Sequence, residues 1–310
     1  MPVIQVDHLT KDYGYNRGVF DVSLEVHQGE VYGFLGPNGA GKTTTIRHIM
    51  GFSRPQSGST FVNRLDSWKH ASEIQTILGY LPGEIALPEN LTGDQFIEMM
   101  AKLRRVKDMS YTNKLIDKFE LEPSNNLKRM SLGMKRKLAI VVAFMHDPDV
   151  LVLDEPTSGL DPLMQKVFID FIHEEKKRGK TILLSSHIFS EIEATCDKIS
   201  IIKDGKIVST FIADELRNPE EKTYKLEFIT NEAFQKFYKE VSISHSFQIV
   251  KVDEIKRQVT LTVHNSQTNQ LIELISKYQI KFFSEVKFTL EEYFMKFYDR
   301  DYRSVTNDSH

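Results

Sequence analysis

The run Gly36-Pro37-Asn38-Gly39-Ala40-Gly41-Lys42-Thr43 constrains this chain more than any other segment. It fills the spacing G-x-x-x-x-G-K-[ST], between a nearly continuous apolar run, Val31–Leu35, and residues Lys42–Met50, which have helical character. Strand, glycine loop and helix in that order form a cradle for phosphate. Glycines let successive backbone N–H groups curl around phosphate oxygens, and the helix N-terminus adds partial positive charge. Lys42 is expected to pair with terminal phosphate oxygens and Thr43 to ligate Mg²⁺, with Thr44 completing the binding run.

A second element is Val150-Leu151-Val152-Leu153-Asp154-Glu155, four apolar residues that predict a buried strand ending in two carboxylates. The carboxyl ends of strands are where open α/β sheets bind ligands. There Asp154 is expected to hold Mg²⁺ through water, and Glu155 to polarise the attacking water.

The rest of the chain supplies the scaffold for these two elements. Val3–His8 and Phe20–Val26 alternate apolar and polar residues, as short strands do. From about Glu84 to Lys137 the spacing turns helical. Strands return at Val150–Leu153, Thr181–Ser185 and Lys198–Ile202 around a helix at Pro162–Lys177, and Asp204-Gly205 marks a hairpin turn. A boundary is expected near Asn218-Pro219-Glu220. Beyond it the order reads strand (Tyr224, Leu226, Phe228), helix (Glu232–Glu240), strands (Phe247–Val252, Val259–Val263), helix (Gln267–Tyr278) and strand (Ile280–Phe288). That is the βαββαβ plan of ferredoxin-like domains. A last helix at Leu290–Tyr298 and a frayed tail at Arg303–His310 are expected after it.

Composition narrows the class. With 310 residues, 40% hydrophobic and 27% charged, the chain suits a large folded domain plus a smaller one. A net charge of −3 gives no broad footprint for nucleic acid, so none is expected as a partner. The single cysteine, Cys196, fits a reducing compartment. Apolar stretches such as Leu138–Met145 fall short of the roughly 20 residues that span a bilayer as a helix. The opening MPVIQVDHLTKDYG becomes charged too soon for a signal peptide, and a cytoplasmic location is expected.

Phosphate cradles of this kind serve kinases, GTPases and motor ATPases alike. The segments MSLGMKR (Met130–Arg136), VLVLDEPTSGLDP and LLSSH (Leu183–His187), in that order, resemble the ordered signature of ATP-binding cassette (ABC) proteins. The resemblance covers about residues 3–217 and implies an α/β fold: a P-loop NTPase cassette of ABC type at 1–217, with a helical subdomain at about 84–137. A small α+β, ferredoxin-like accessory domain would occupy 218–302, and a flexible tail 303–310.

The same resemblance implies ATP and Mg²⁺ as ligands, and roles for further residues. Ser131 and Gly133 would present N–H groups to a γ-phosphate, and Asp161 would lie in a loop that crosses to a facing subunit. His187 would contact γ-phosphate and orient Glu155, and Tyr13 would stack on adenine. Leu132 and Met134 replace the usual glycine and glutamine, as in antibiotic-immunity and multidrug exporters. After Leu81-Pro82, where a glutamine is usual, the chain has Gly83-Glu84. Either Glu84 substitutes or backbone contacts serve instead.

One copy of each motif implies a second ATP-binding subunit, as in a homodimer. Transport would need separate transmembrane permease subunits, gripped near Ile85–Thr92, with the chain peripheral on the inner face of the cell membrane. A soluble ABC factor acting in DNA repair or on ribosomes is the alternative. Residues 220–300 read either as a ligand-sensing module or as a dimer-bracing, packing domain.

Overall fold

The computed structural model describes residues 1–217, 220–244, 246–286 and 289–297. The chain divides into two compact units, Met1–Ala213 and Asp214–His310.

In the first unit, strands β1 (Pro2–Asp12), β2 (Gly18–His27) and β3 (Val31–Leu35) precede helix α1 (Lys42–Ile49). Then come β4 (Ser57–Val62), β5 (Leu65–Asp66), α2 (Ala71–Ile77) and β6 (Leu78–Leu81). The sequence reading assigned none of these four; they are short, and β5 spans two residues. Helices α3 (Gly93–Arg104), α4 (Ser110–Lys118) and α5 (Leu132–Phe144) form the helical part. It starts later and ends later than the expected 84–137. Residues 84–92 are irregular rather than helical, with a turn at 89–90 and an isolated bridge from Thr92 to Asn126, as suits a stretch interrupted by Pro88, which disfavours helix at and before itself. Thr92 opens α3 with a reciprocal capping box to Gln95.

Strand β7 (Val150–Asp154), α6 (Pro162–Lys177), β8 (Thr181–Ser186), α7 (Phe189–Thr195), β9 (Lys198–Lys203) and β10 (Lys206–Ile212) complete the unit, and α8 (Ala213–Arg217) begins at the division. Two sheets result. One is antiparallel, in the order β2-β1-β4-β5; the other has six strands in the order β10-β9-β3-β8-β7-β6. Only β10 runs antiparallel in the larger sheet, returning from β9 through Asp204-Gly205, both at positive φ. Strands β3 and β7 are buried along their whole length, the pattern of a sheet covered on both faces. Both lie inside the sheet, flanking β8, so the glycine loop after β3 and the carboxylates after β7 emerge at one edge.

The second unit is a four-stranded antiparallel sheet built from β11 (Glu221–Phe228), β12 (Gln248–Asp253), β13 (Gln258–His264) and β14 (Ile280–Val286). Helices α9 (Asn231–Ser244) and α10 (Thr268–Ile275) sit between strands in the order βαββαβ, and the strand order β12-β13-β11-β14 is ferredoxin-like. Tyr224, Leu226 and Phe228 alternate inward to meet Phe234 and Phe237 of α9. Helix α11 (Leu290–Met295) carries a capping box from Thr289 to Glu292. Tyr298 and the expected tail at Arg303–His310 lie outside the described residues, as do the boundary residues Asn218 and Pro219 and the strand end at Phe288.

Candidate functional site

The cradle is built by backbone strain that only its sequence tolerates. Gly39 and Gly41 take φ of +83° and +112°, and a Cβ on Gly36 would stand 2.5 Å from the Ile202 carbonyl oxygen. The loop then enters α1, whose first amides have no acceptor within the helix. Lys42 is almost fully buried. Its Nζ donates to the carbonyl oxygens of Gly36 at 2.6 Å and Pro37 at 3.2 Å, and pairs with Glu155 Oε1 at 2.9 Å.

Glu155 is the residue on which the edge converges. Its φ is +50°, a conformation that costs a non-glycine residue of order 1–3 kcal/mol and persists where the surroundings enforce it. Its amide donates to Ser185 O at 3.0 Å. Its other carboxylate oxygen, Oε2, lies 2.6 Å from His187 Nδ1. Lys42, Glu155 and His187 thus form a continuous chain of cation, carboxylate and imidazole.

Beside it, the wholly buried Asp154 accepts from Thr43 Oγ1 at 2.7 Å and from the Ser185 hydroxyl. No group of three or more His, Cys, Asp or Glu gathers into a metal site among the described residues. One carboxylate and one hydroxyl are nevertheless the donor set Mg²⁺ takes, since it keeps waters and substrate phosphates in its other positions. The residues present fit that ion.

Thr43, Glu155 and His187 line one open cleft of about 540 Å³, together with Asn38, Gly83 and Glu84 among others, while the buried Lys42 and Asp154 touch these lining groups without lining the cleft themselves. Ser131, Gly133, Asp161 and Tyr13 do not line it. Ser131 caps α5 by accepting from Met134 N at 3.2 Å, and Asp161 caps α6 from Met164 N at 2.9 Å with Pro162 next. Tyr13 is 56% exposed, with Lys11 Nζ 5.7 Å from its ring centroid. Gly83 packs against the site directly, for a Cβ there would meet Asp154 Oδ2 at 3.0 Å. Phe52 and Tyr80, edge to face at 5.6 Å, form a wall shared with a smaller apolar groove of about 230 Å³ that also takes in Ile85, Leu87, Phe96 and Met100.

Two buried ionisable residues near the site escaped the sequence reading. Arg136 donates to three backbone carbonyls, and Glu191 of α7 accepts from Ser186 Oγ at 2.5 Å. Burial pushes the Glu191 carboxyl up to about 7, the hydroxyls of Ser186 and Thr157 offsetting part of that effect. The signal for Arg136 was present: it shares a helix face with Ala139, Ile140 and Ala143, all buried, so a cation falls in an apolar stripe.

Residues 19–158 match the family model described as ABC transporter. The chain is 38% identical over 218 residues to the bacitracin transport ATP-binding protein BcrA of Bacillus licheniformis, covering 69% of this chain and 71% of that protein. It is 30% identical over 307 residues to an uncharacterized ABC transporter ATP-binding protein, YcbN, of Bacillus subtilis, covering 95% and 96%. A solved ATP-binding subunit of an ABC transporter superposes with a TM-score of 0.64 at 31% identity, over 69% of this chain and 92% of that one. With the cradle, the paired carboxylates and the histidine at one sheet edge, these matches place the chain in the family of ABC transporter ATP-binding proteins.

Proposed function

We propose that the chain binds and hydrolyses ATP as half of a head-to-tail homodimer, driving export through separate transmembrane permease subunits. Residues 1–217 act as the ATP-binding cassette and 218–302 as an accessory domain. The observation that carries this reading is the Lys42–Glu155–His187 chain beside the phosphate cradle. ATP phosphates lie on the Gly36–Thr44 backbone, with adenine on Tyr13. Lys42 turns from Glu155 to the phosphate oxygens. Glu155 then accepts the proton of the attacking water, held in place by His187, while Lys42 offsets charge on the transferring phosphoryl group. Thr43 and Asp154 would hold Mg²⁺, which would neutralise phosphate charge.

Ser131, Gly133 and Asp161 do not line their own cleft and sit at the starts of α5 and α6, where Ser131 and Asp161 are exposed, which suits presentation to the ATP of a partner chain. The groove around Ile85 and Leu87 is assigned to the permease, since it shares the Phe52–Tyr80 wall with the ATP cleft. No described helix is long and apolar enough to cross a membrane. Attachment to the inner face of the cell membrane would therefore run through that permease. Export as the direction rests on Leu132 and Met134, signature variants that resemble those of antibiotic-immunity and multidrug exporters.

Glu155→Gln keeps the shape and hydrogen-bonding capacity of the side chain without its basicity. It is expected to bind ATP with unchanged affinity and to lose about a thousandfold or more in steady-state turnover. Turnover near that of the unaltered chain would sink the base assignment.

A further inference from the structure

Where a glutamine side chain is usual after Pro82, this chain has a glycine, and the surroundings leave little room for more. The carbonyls around that gap are nevertheless held. Arg136 Nη1 donates to Pro82 O at 2.9 Å and Nη2 to Gly83 O at 2.6 Å, while Nε donates to Ser158 O at 3.0 Å. A single guanidinium on α5 therefore fastens two segments that both line the ATP cleft, Pro82–Gly83 and Ser158.

Arg136 is only 2% exposed. Burying a cation is unfavourable unless it is paired and hydrogen-bonded, and replacing such groups by apolar ones is often neutral or stabilising. Here the nearby charges of Asp154, Glu155 and Glu191 counter the desolvation of the guanidinium. A cation retained among the site's own carboxylates, with its donors spread over two cleft-lining segments, suits a link more than a filler. The first turn of the same helix bears on the same region: a Cβ on Gly159 would meet the Leu132 side chain at 2.8 Å, and one on Gly133 would meet Gly159 O at 2.9 Å.

We propose that Arg136 is a positioning residue for hydrolysis: it ties the Pro82–Gly83 turn and the Ser158–Gly159 segment to helix α5, so that both move with the start of that helix. Only a planar fork can hold three carbonyls in fixed directions; an ammonium at the same place keeps the charge and loses the geometry. The inference rests on the ATPase reading above, and its structural half can be tested apart from turnover.

The test uses the full chain with Arg136→Lys and Arg136→Gln. Both are expected to bind ATP within about twofold of the unaltered protein, because Lys42 and the cradle are untouched, while kcat falls at least about tenfold with KM little changed. Without nucleotide, amide hydrogen exchange in Arg136→Lys should accelerate together at 82–87 and 157–160 and stay unchanged at 36–43. In the unaltered chain, which needs no variant to fold, adding ATP and Mg²⁺ should change protection of those two segments together. A kcat within twofold for both variants, a loss of ATP affinity that matches the loss of kcat, or exchange changing in one segment alone would each overturn the proposal. Absence of ATPase activity in the unaltered chain would remove the ATPase reading, yet leave the exchange result to decide the link.

Discussion

The two units bury different chemistry. Among the described residues, every buried Lys, Arg, Asp, Glu, His, Ser and Thr belongs to the first unit, from Lys42 to Ser200. The second unit fills its core with Tyr224, Phe228, Phe234, Phe237 and aliphatic side chains. Buried charge and hydroxyls need partners placed to within fractions of an ångström, whereas apolar contacts tolerate substitution if volume is kept. The contrast separates a unit arranged around reacting groups from one arranged around packing. In the first, Glu155 is held at positive φ and Lys42 is buried against it. The described part of the second offers no comparable arrangement.

That division predicts separable failures. Phe228 meets the rings of Phe237 at 4.9 Å, Phe234 at 6.2 Å and Tyr278 at 6.3 Å. Phe228→Ala should therefore destabilise the second unit by about 4 kcal/mol, read by thermal or denaturant unfolding of the full chain, while ATP affinity stays within about twofold. Loss of ATP affinity in step with stability would break the division.

A smaller effect sharpens it from the other side. In the folded chain burial raises the Glu191 carboxyl from the ordinary 4.5 to about 7, so the folded state binds more protons than the unfolded one between those values. The protonated carboxyl's contribution is fully present below pH 4.5 and is lost as pH rises through 7. The unaltered chain should lose roughly 2 kcal/mol of stability from this group between about pH 5 and 7, and Glu191→Gln should remove that slope. Parallel stability profiles for the two proteins would show that Glu191 is not the titrating group.

How much of this was legible in the sequence follows from how local each feature is. The β3, loop and α1 succession can be read directly, because an apolar run, a glycine spacing and a helix start are contiguous. Asp161 followed by Pro162 likewise announces the cap of α6. The alternation of Tyr224, Leu226 and Phe228 shows β11, and the element order suggests a ferredoxin-like plan, although the pairing β12-β13-β11-β14 needs the structure.

Arg136 is the contrary case. Its acceptors lie 53 and 54 residues earlier and 22 later, so local periodicity could show that it faces the core but not what it holds. Gly83 reads in the sequence only as a missing side chain. In the fold it is a close approach to Asp154, which a Cβ would crowd. The antiparallel sheet strands at 57–66 stayed hidden because they are short and partly exposed, without an apolar period long enough to register.

The central claim is that the cleft holds half of an ATP site and that a second chain completes it. Sedimentation of Glu155→Gln with ATP and Mg²⁺ tests this most directly, because the variant should hold ATP without consuming it. The account predicts a species of twice the chain mass that forms with ATP and returns to the single-chain mass when nucleotide is removed; a single-chain mass at saturating ATP would contradict it.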